Sequence, residues 1–147
     1  MSIFDHQPGV TLVNPVNCVG VMGKGLALKF KKRWPGICAP GSDYMTWCSI
    51  DGTQAGDILT ANAGIDGPQI VYFATKTDWR NQSNIASIER GLNEFASHHC
   101  RFSDAFAFPK LGCGHGGLAW PDVRELMIKY LEPLAVTCYV HGEAPKG

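Results

Sequence analysis

Two rhythms of apolar and polar residues alternate along this chain. Short apolar runs rich in β-branched and aromatic residues occur at Val10–Asn14 ("VTLVN"), Asp57–Ala61 ("DILTA"), Gln69–Thr75 ("QIVYFAT"), Asp104–Pro109 ("DAFAFP") and Ala135–Val140 ("AVTCYV"). Pro8-Gly9 precedes the first run and Pro109 stops the fourth, so each run reads as a strand. Between them lie segments whose apolar residues recur every three or four positions, the period of a helix. From Gly25, residues Leu26, Ala27, Phe30 and Trp34 share one face, and Pro35 ends the helix. A second helix is expected over Asn84–His98, with Ile85, Ile88, Leu92 and Phe95 as its buried stripe. A third opens at Pro121, a favourable first-turn position, buries Val123, Leu126, Met127 and Tyr130, and closes at Pro133. Pro35–Gly56 follows neither rhythm and reads as a connection, with Tyr44 and Trp47 covering a core edge or else lining a pocket.

Strands alternating with helices predict an α/β domain with helices on both faces of a sheet. In such sheets ligands bind beyond the carboxyl ends of the strands. Two glycine clusters occupy that place, each after a strand and before a helix: "NCVGVMGKG", Asn17 to Gly25, and "LGCGHGG", Leu111 to Gly117. Glycines let a backbone approach a phosphate closely, and free amides at a helix start attract the anion. The first loop is not a P-loop, because Gly25-Leu26 follows Lys24, and it is not G-x-G-x-x-G. Read alone, either cluster could serve only for tight turns. Asn14 and Asn17 end the first strand. Asn14 reads as structural, and Asn17 is expected to face the pocket and orient a hydroxyl-rich ligand such as a ribose.

Composition narrows the reading without deciding it. The chain has 147 residues and zero formal net charge, which suits one domain and gives no global signal for nucleic acid. There is no long apolar run for a membrane helix and no signal-peptide plan at "MSIFDHQPGV". The six cysteines show no C-x-x-C pair or zinc spacing, so reduced thiols and no metal site are expected, with a disulfide framework as the alternative.

The blocks "LVNPVNCVGVMGKGLALKFKKRWP", "FATKTDWRNQSNIASIERGL" and "FPKLGCGHGGLAWPDVRELM" resemble the macrodomain family. Within it they resemble the branch of DarG-like DNA ADP-ribosyl glycohydrolases. The resemblance implies a three-layer α/β/α macrodomain over residues 1–147, with a mixed central sheet and a cleft for ADP-ribose. The first loop (Asn17, Cys18, Val19, Gly20, Val21, Met22, Gly23, Lys24 and Gly25) would wrap the distal ribose and part of the diphosphate. The second (Leu111, Gly112, Cys113, Gly114, His115, Gly116 and Gly117) would hold the diphosphate from the other side. Two departures stand out. Ser2-Ile3-Phe4 occupies the place of the "GDI" whose aspartate reads adenine in many macrodomains. The second loop, "GCGHGG", lacks the carboxylate of the glutamate-ester hydrolases, which favours the DarG-like branch.

The resemblance makes Lys76, in "ATKTDWR", the catalytic lysine, and Asn17 is carried with it. As a cation Lys76 would neutralise or protonate a departing thymine; as a neutral amine it could attack the anomeric carbon. A solvated strand-end lysine is the plain alternative. Trp79 and Arg80 suit stacking on a base and holding a DNA phosphate, or else core packing with an outward arginine. His115 either touches substrate or caps a turn; Lys110 is a weaker phosphate contact; Cys18 and Cys113 read as packing residues. Lys29, Lys31, Lys32 and Arg33 form a basic helix face, solvated or in contact with single-stranded DNA. No cofactor is expected beyond ADP-ribose as ligand or product. The implied activity is removal of ADP-ribose from thymidine in single-stranded DNA, paired with a DarT-type toxin, by a monomer in a bacterial or phage-infected cytoplasm. Deacylation of ADP-ribosylated glutamate or of small ADP-ribose derivatives, and non-catalytic reading of ADP-ribose, are the competing activities. The chain ends at "HGEAPKG", without room for a toxin-binding region, so both a fragment and a stand-alone protein are expected forms.

Overall fold

The computed structural model describes residues 2–65 and 67–142; positions 1, 66 and 143–147 of the expected 1–147 domain lie outside the described residues. Five strands form one sheet: β1 (Thr11–Val16), β2 (Ile58–Asn62), β3 (Gln69–Ala74), β4 (Ala105–Pro109) and β5 (Thr137–His141). Their order is β2-β3-β1-β4-β5. All neighbours run parallel except β2, which returns antiparallel against β3 as an edge hairpin. The sheet is therefore mixed, as expected.

Alternation along the strands divides the core in two. Val13, Val71, Phe73, Phe106 and Phe108 point to one face, against α3 (Ile85–Glu94) and α4 (Trp120–Leu131). Leu12, Val16, Ile70, Tyr72 and Ala107 point to the other, against α1 (Gly25–Arg33) and α2 (Asp43–Cys48). Phe73, Phe95, Phe106 and Phe108 are fully buried, each worth up to about 3 kcal/mol relative to exposure. Among the described residues, no helix is long and apolar enough to cross a membrane.

Three sequence expectations change. Pro35–Gly56 is not a plain connection: it holds a 3-10 turn at Pro35–Cys38 and α2, capped by Ser42, whose Oγ accepts from Met45 N. A six-residue helix is too short to show a period. Ile85 is exposed rather than buried, because it sits in the first turn of α3 at the domain surface. Finally, β1 runs two residues beyond Asn14, through Pro15. Thr75 N donates to Val16 O, so alternate residues 14 and 16 face β3. Pro15 then turns its missing N–H towards β4, whose pairing with β1 has already stopped at Leu12. The proline costs no ladder bond there, and beyond Leu12 the two strands are free to part.

Candidate functional site

The parting of β1 and β4 builds the site. These neighbouring parallel strands send their following helices to opposite faces, α1 to one and α4 to the other. That is the topological switch point at which α/β sheets hold ligands. The two glycine loops leave the strands at this crevice.

The first loop is organised by Asn17. Its Oδ1 accepts from Val19 N at 3.1 Å and Val21 N at 3.3 Å, and its Nδ2 donates to Val21 O at 2.6 Å. Buried Tyr44, on α2, donates its hydroxyl to the Asn17 carbonyl at 3.0 Å. This corrects the expectation that Asn17 faces the pocket: at 7% exposure its amide turns into its own loop. The physical reason is local, since the turn strands two N–H groups and a carbonyl that a short amide can satisfy together. Asn14 is structural as expected: fully buried, with Nδ2 on Met22 Sδ at 3.8 Å. Cys18 is buried, and burial first, then the nearby Cys48 and Asp57, push its thiol up to about 12. It is a packing group, not a thiolate; burial raises Cys113 as well.

Val19, Val21, Gly23, Lys24 and Gly25 are the exposed side of this loop, whereas Met22 is buried. Among the described residues, Lys24 precedes α1 without a side-chain cap bond, so the amides ahead of Leu28 point out of the helix's positive end. An anion fits there.

The second loop is built differently. Leu111 and Gly112 are buried, Leu118 N donates to Gly112 O at 2.9 Å, and Gly117 N donates to Gly114 O at 3.2 Å. Ser83, from the segment before α3, donates its N–H to Gly116 O at 3.0 Å. A side chain at Gly116 would collide with the Gly112 carbonyl and Ser83 Oγ. Ser83 Oγ is buried without a hydrogen-bond partner among the described residues.

The loops meet at the crevice mouth. A Cβ on Gly25 would lie 3.1 Å from the His115 ring. Lys76, just past β3, donates from Nζ to His115 O at 3.1 Å. Its pKa is lowered, by burial first and by the charge of Lys24 second. One lysine thus touches the second loop by hydrogen bond and the first by electrostatics. Partly desolvated and under the charge of another cation, it welcomes an anion and is easier to deprotonate than a fully exposed lysine.

The remaining expected residues fall on the rim. Trp79 is 46% exposed and not a core residue. Arg80 lies over its ring at 5.5 Å and pairs bidentately with Asp78, at 2.9 and 2.7 Å. Arg80 holds the Asp78 carboxyl down to about 2, and its own charge is largely answered there. Trp79 is the better placed of the two to meet a ligand. Lys110 sits with Nζ 5.1 Å from the Trp120 ring. Tyr44 covers the core edge, as expected, and also supports the site from behind, whereas Ser83 joins it without having been expected there. Tyr44 carried one signal, an aromatic two residues after the capping Ser42, while Ser83 lies in a polar stretch that marks nothing.

Known proteins agree with this geometry. The Macro domain family model matches residues 13–127. Among curated relatives, the DNA ADP-ribosyl glycohydrolase of Mycobacterium tuberculosis is 40% identical over 126 residues, 84% of this chain and 35% of the relative. That of Thermus aquaticus is 36% identical over 150 residues, 96% of this chain and 40% of the relative. The chain thus spans no more than about two-fifths of the length of these relatives. Among solved structures, the macrodomain of M. tuberculosis DarG superposes with a TM-score of 0.86 at 34% identity, covering 98% of this chain and 95% of that one. Thermosipho africanus DarTG, solved in complex with ADP-ribose, superposes with a TM-score of 0.80 at 31% identity, over 93% of this chain and 39% of that one. From its sheet order, its paired glycine loops and these likenesses, the chain belongs to the macrodomain family.

Proposed function

We propose that this domain hydrolyses the bond between ADP-ribose and thymidine in single-stranded DNA. The observation that carries the reading is Lys76 at the seam of the two loops, hydrogen-bonded to His115 O and acted on by Lys24. The names of the relatives, DNA ADP-ribosyl glycohydrolases, support the same substrate.

The diphosphate takes the amides at the start of α1 and the second loop from its other side. That puts the distal ribose at the mouth, next to Lys76. The bond that breaks joins the anomeric carbon of this ribose to a thymine ring nitrogen. Water supplies hydroxide to the carbon and a proton to the nitrogen. As the bond stretches, positive charge grows on the ribose and negative charge on the base. Lys76 as an ammonium answers the charge on the base and can hand it the proton. As an amine it would bond to the anomeric carbon first, and water would then release it. Asn17 serves by holding the first loop in shape around the ribose. Trp79 offers a face on which the base, swung out of its strand, can stack.

A DarT-type transferase is the functional counterpart of this activity, consistent with the fusion of both activities named for a Thermosipho africanus relative. A monomer in a bacterial or phage-infected cytoplasm completes the reading. The test is a pair of substrates: an oligonucleotide carrying ADP-ribosylated thymidine, and a peptide carrying ADP-ribosylated glutamate. Release of ADP-ribose from the DNA alone is the expected result. Release from the peptide alone would replace this reading with deacylation, and tight ADP-ribose binding without release from either would make the domain a reader.

A further inference from the structure

The zero net charge hides an uneven distribution. From Asp5 to Asp43 there is no intervening carboxylate, and five cations fall in that stretch: Lys24, Lys29, Lys31, Lys32 and Arg33. All five are exposed. Among the described residues, ion pairs join Arg80 to Asp78, Arg90 to Asp57, His99 to Glu94 and Lys129 to Glu89, and none engages these five. Arg33 lies against Phe4 and Trp34, at 5.3 and 5.8 Å from their rings. Among the described residues, the four lysines have no such ring contact.

Their arrangement follows from the helix. Phe30 is buried against the sheet and Leu26, Ala27 and Trp34 pack around it. Lys29 and Lys32, one turn apart, and Lys31 therefore occupy the solvent side. Lys24 is the extended N-cap residue just before this helix, on its N-terminal side. The basic face starts at the crevice mouth, because Gly25, the first residue of α1, lies against His115, whose carbonyl accepts from Lys76. The opposite layer is different in sign: Glu89, Asp122 and Glu125 line a groove between α3 and α4. A polyanion leaving the mouth is drawn across α1 and repelled from that groove.

We infer that the solvent face of α1 binds the DNA strand flanking the modified thymidine, with Lys29, Lys31 and Lys32 on its phosphates. The inference rests on the glycohydrolase reading for the nature of the strand. A single strand fits better than a duplex, since the modified base must leave its stack to reach the crevice.

The experiment compares wild type with the triple variant Lys29→Gln, Lys31→Gln, Lys32→Gln. Glutamine keeps helix propensity, so the fold should hold, and a thermal melt checks it. Arg101→Gln with Arg124→Gln, two exposed cations elsewhere, is the control. The first probe is unmodified oligothymidylate of about 12 nucleotides, within the span of known single-strand sites. Without three lysines on its phosphates the strand should show a salt slope lower by about 2, so wild-type affinity falls roughly 20-fold more than the triple variant's between about 50 and 200 mM salt. The second probe is ADP-ribosylated thymidine, within that oligonucleotide and as the free nucleoside. The triple variant should raise KM about tenfold on the former, as expected when several phosphates go unneutralised, and leave the latter unchanged. Equal salt slopes and equal KM in wild type and triple variant would overturn the inference, as would an equal loss in the control. If wild type cleaves neither modified substrate, the glycohydrolase reading fails, and the unmodified strand still decides for or against the surface.

Discussion

The two glycine loops look alike in sequence and are built on opposite principles. The first is strung around a side chain. Asn17 gathers the backbone at Val19 and Val21, Tyr44 anchors Asn17, and the glycines are mostly exposed. The second is packed backbone on backbone, with Gly116 pressed between Gly112 and Ser83. In the first loop Gly20 and Gly25 abut side chains, of Met45 and His115, and Gly23 has only Val21 near its Cβ position; in the second, Gly116 abuts the backbone carbonyl of Gly112. So a glycine cluster in a sequence does not say which of its members are obligatory, and the surroundings of each do.

The contrast is most exposed to Gly116→Ala. Its methyl group meets a carbonyl and a buried hydroxyl that cannot yield like a flexible tip, so about 3 kcal/mol of stability should go, with ADP-ribose binding. Urea unfolding checks it; a midpoint equal to wild type would refute the packed-loop description. Next comes Asn17→Ala, which frees the donors at Val19 and Val21 in a partly wet loop. About 1–2 kcal/mol of stability should be lost, and ADP-ribose should bind more weakly by calorimetry. Unchanged affinity would mean that the amide does not shape the site.

Lys24→Ala probes the seam where the two loops meet. Burial is the main cause of the lowered Lys76 pKa, and the Lys24 charge adds to it. Removing that charge should lift the Lys76 pKa. If the ammonium is the working form, wild-type rate falls as pH rises through the Lys76 pKa, and the fall moves to higher pH in the variant. If the amine works, the rise moves to higher pH instead. Single-turnover rates against pH read both, and an unmoved limb would break the link between the loops. The smallest effect belongs to Gly114→Ala. Nothing lies within 4 Å of its Cβ position and its backbone is not in the left-handed region, so stability should change by under about 0.5 kcal/mol. A large loss there would show that the second loop is packed throughout.

Much of the fold was legible in the sequence. The strands carry dense β-branched and aromatic runs, and the long helices bury wide stripes, so local pattern and tertiary burial agree. The positions of both loops followed from that alternation, and the ligand from the resemblance of their residues. Three things were not legible. α2 is shorter than the window that shows a period. Pro15 within β1 contradicts strand propensity until the parting from β4 is known. Asn17 points inward because of amides two and four residues ahead and a tyrosine 27 residues away, and neither direction nor partner is written in local sequence.

The role of Lys76 is tested most simply by single-turnover cleavage of an oligonucleotide bearing ADP-ribosylated thymidine, by wild type and by Lys76→Ala, with ADP-ribose binding measured on both. The variant should still bind ADP-ribose and cleave at least about 100-fold more slowly, as expected for loss of a group acting on the departing base. A variant that binds and cleaves within a few-fold of wild type would contradict that role.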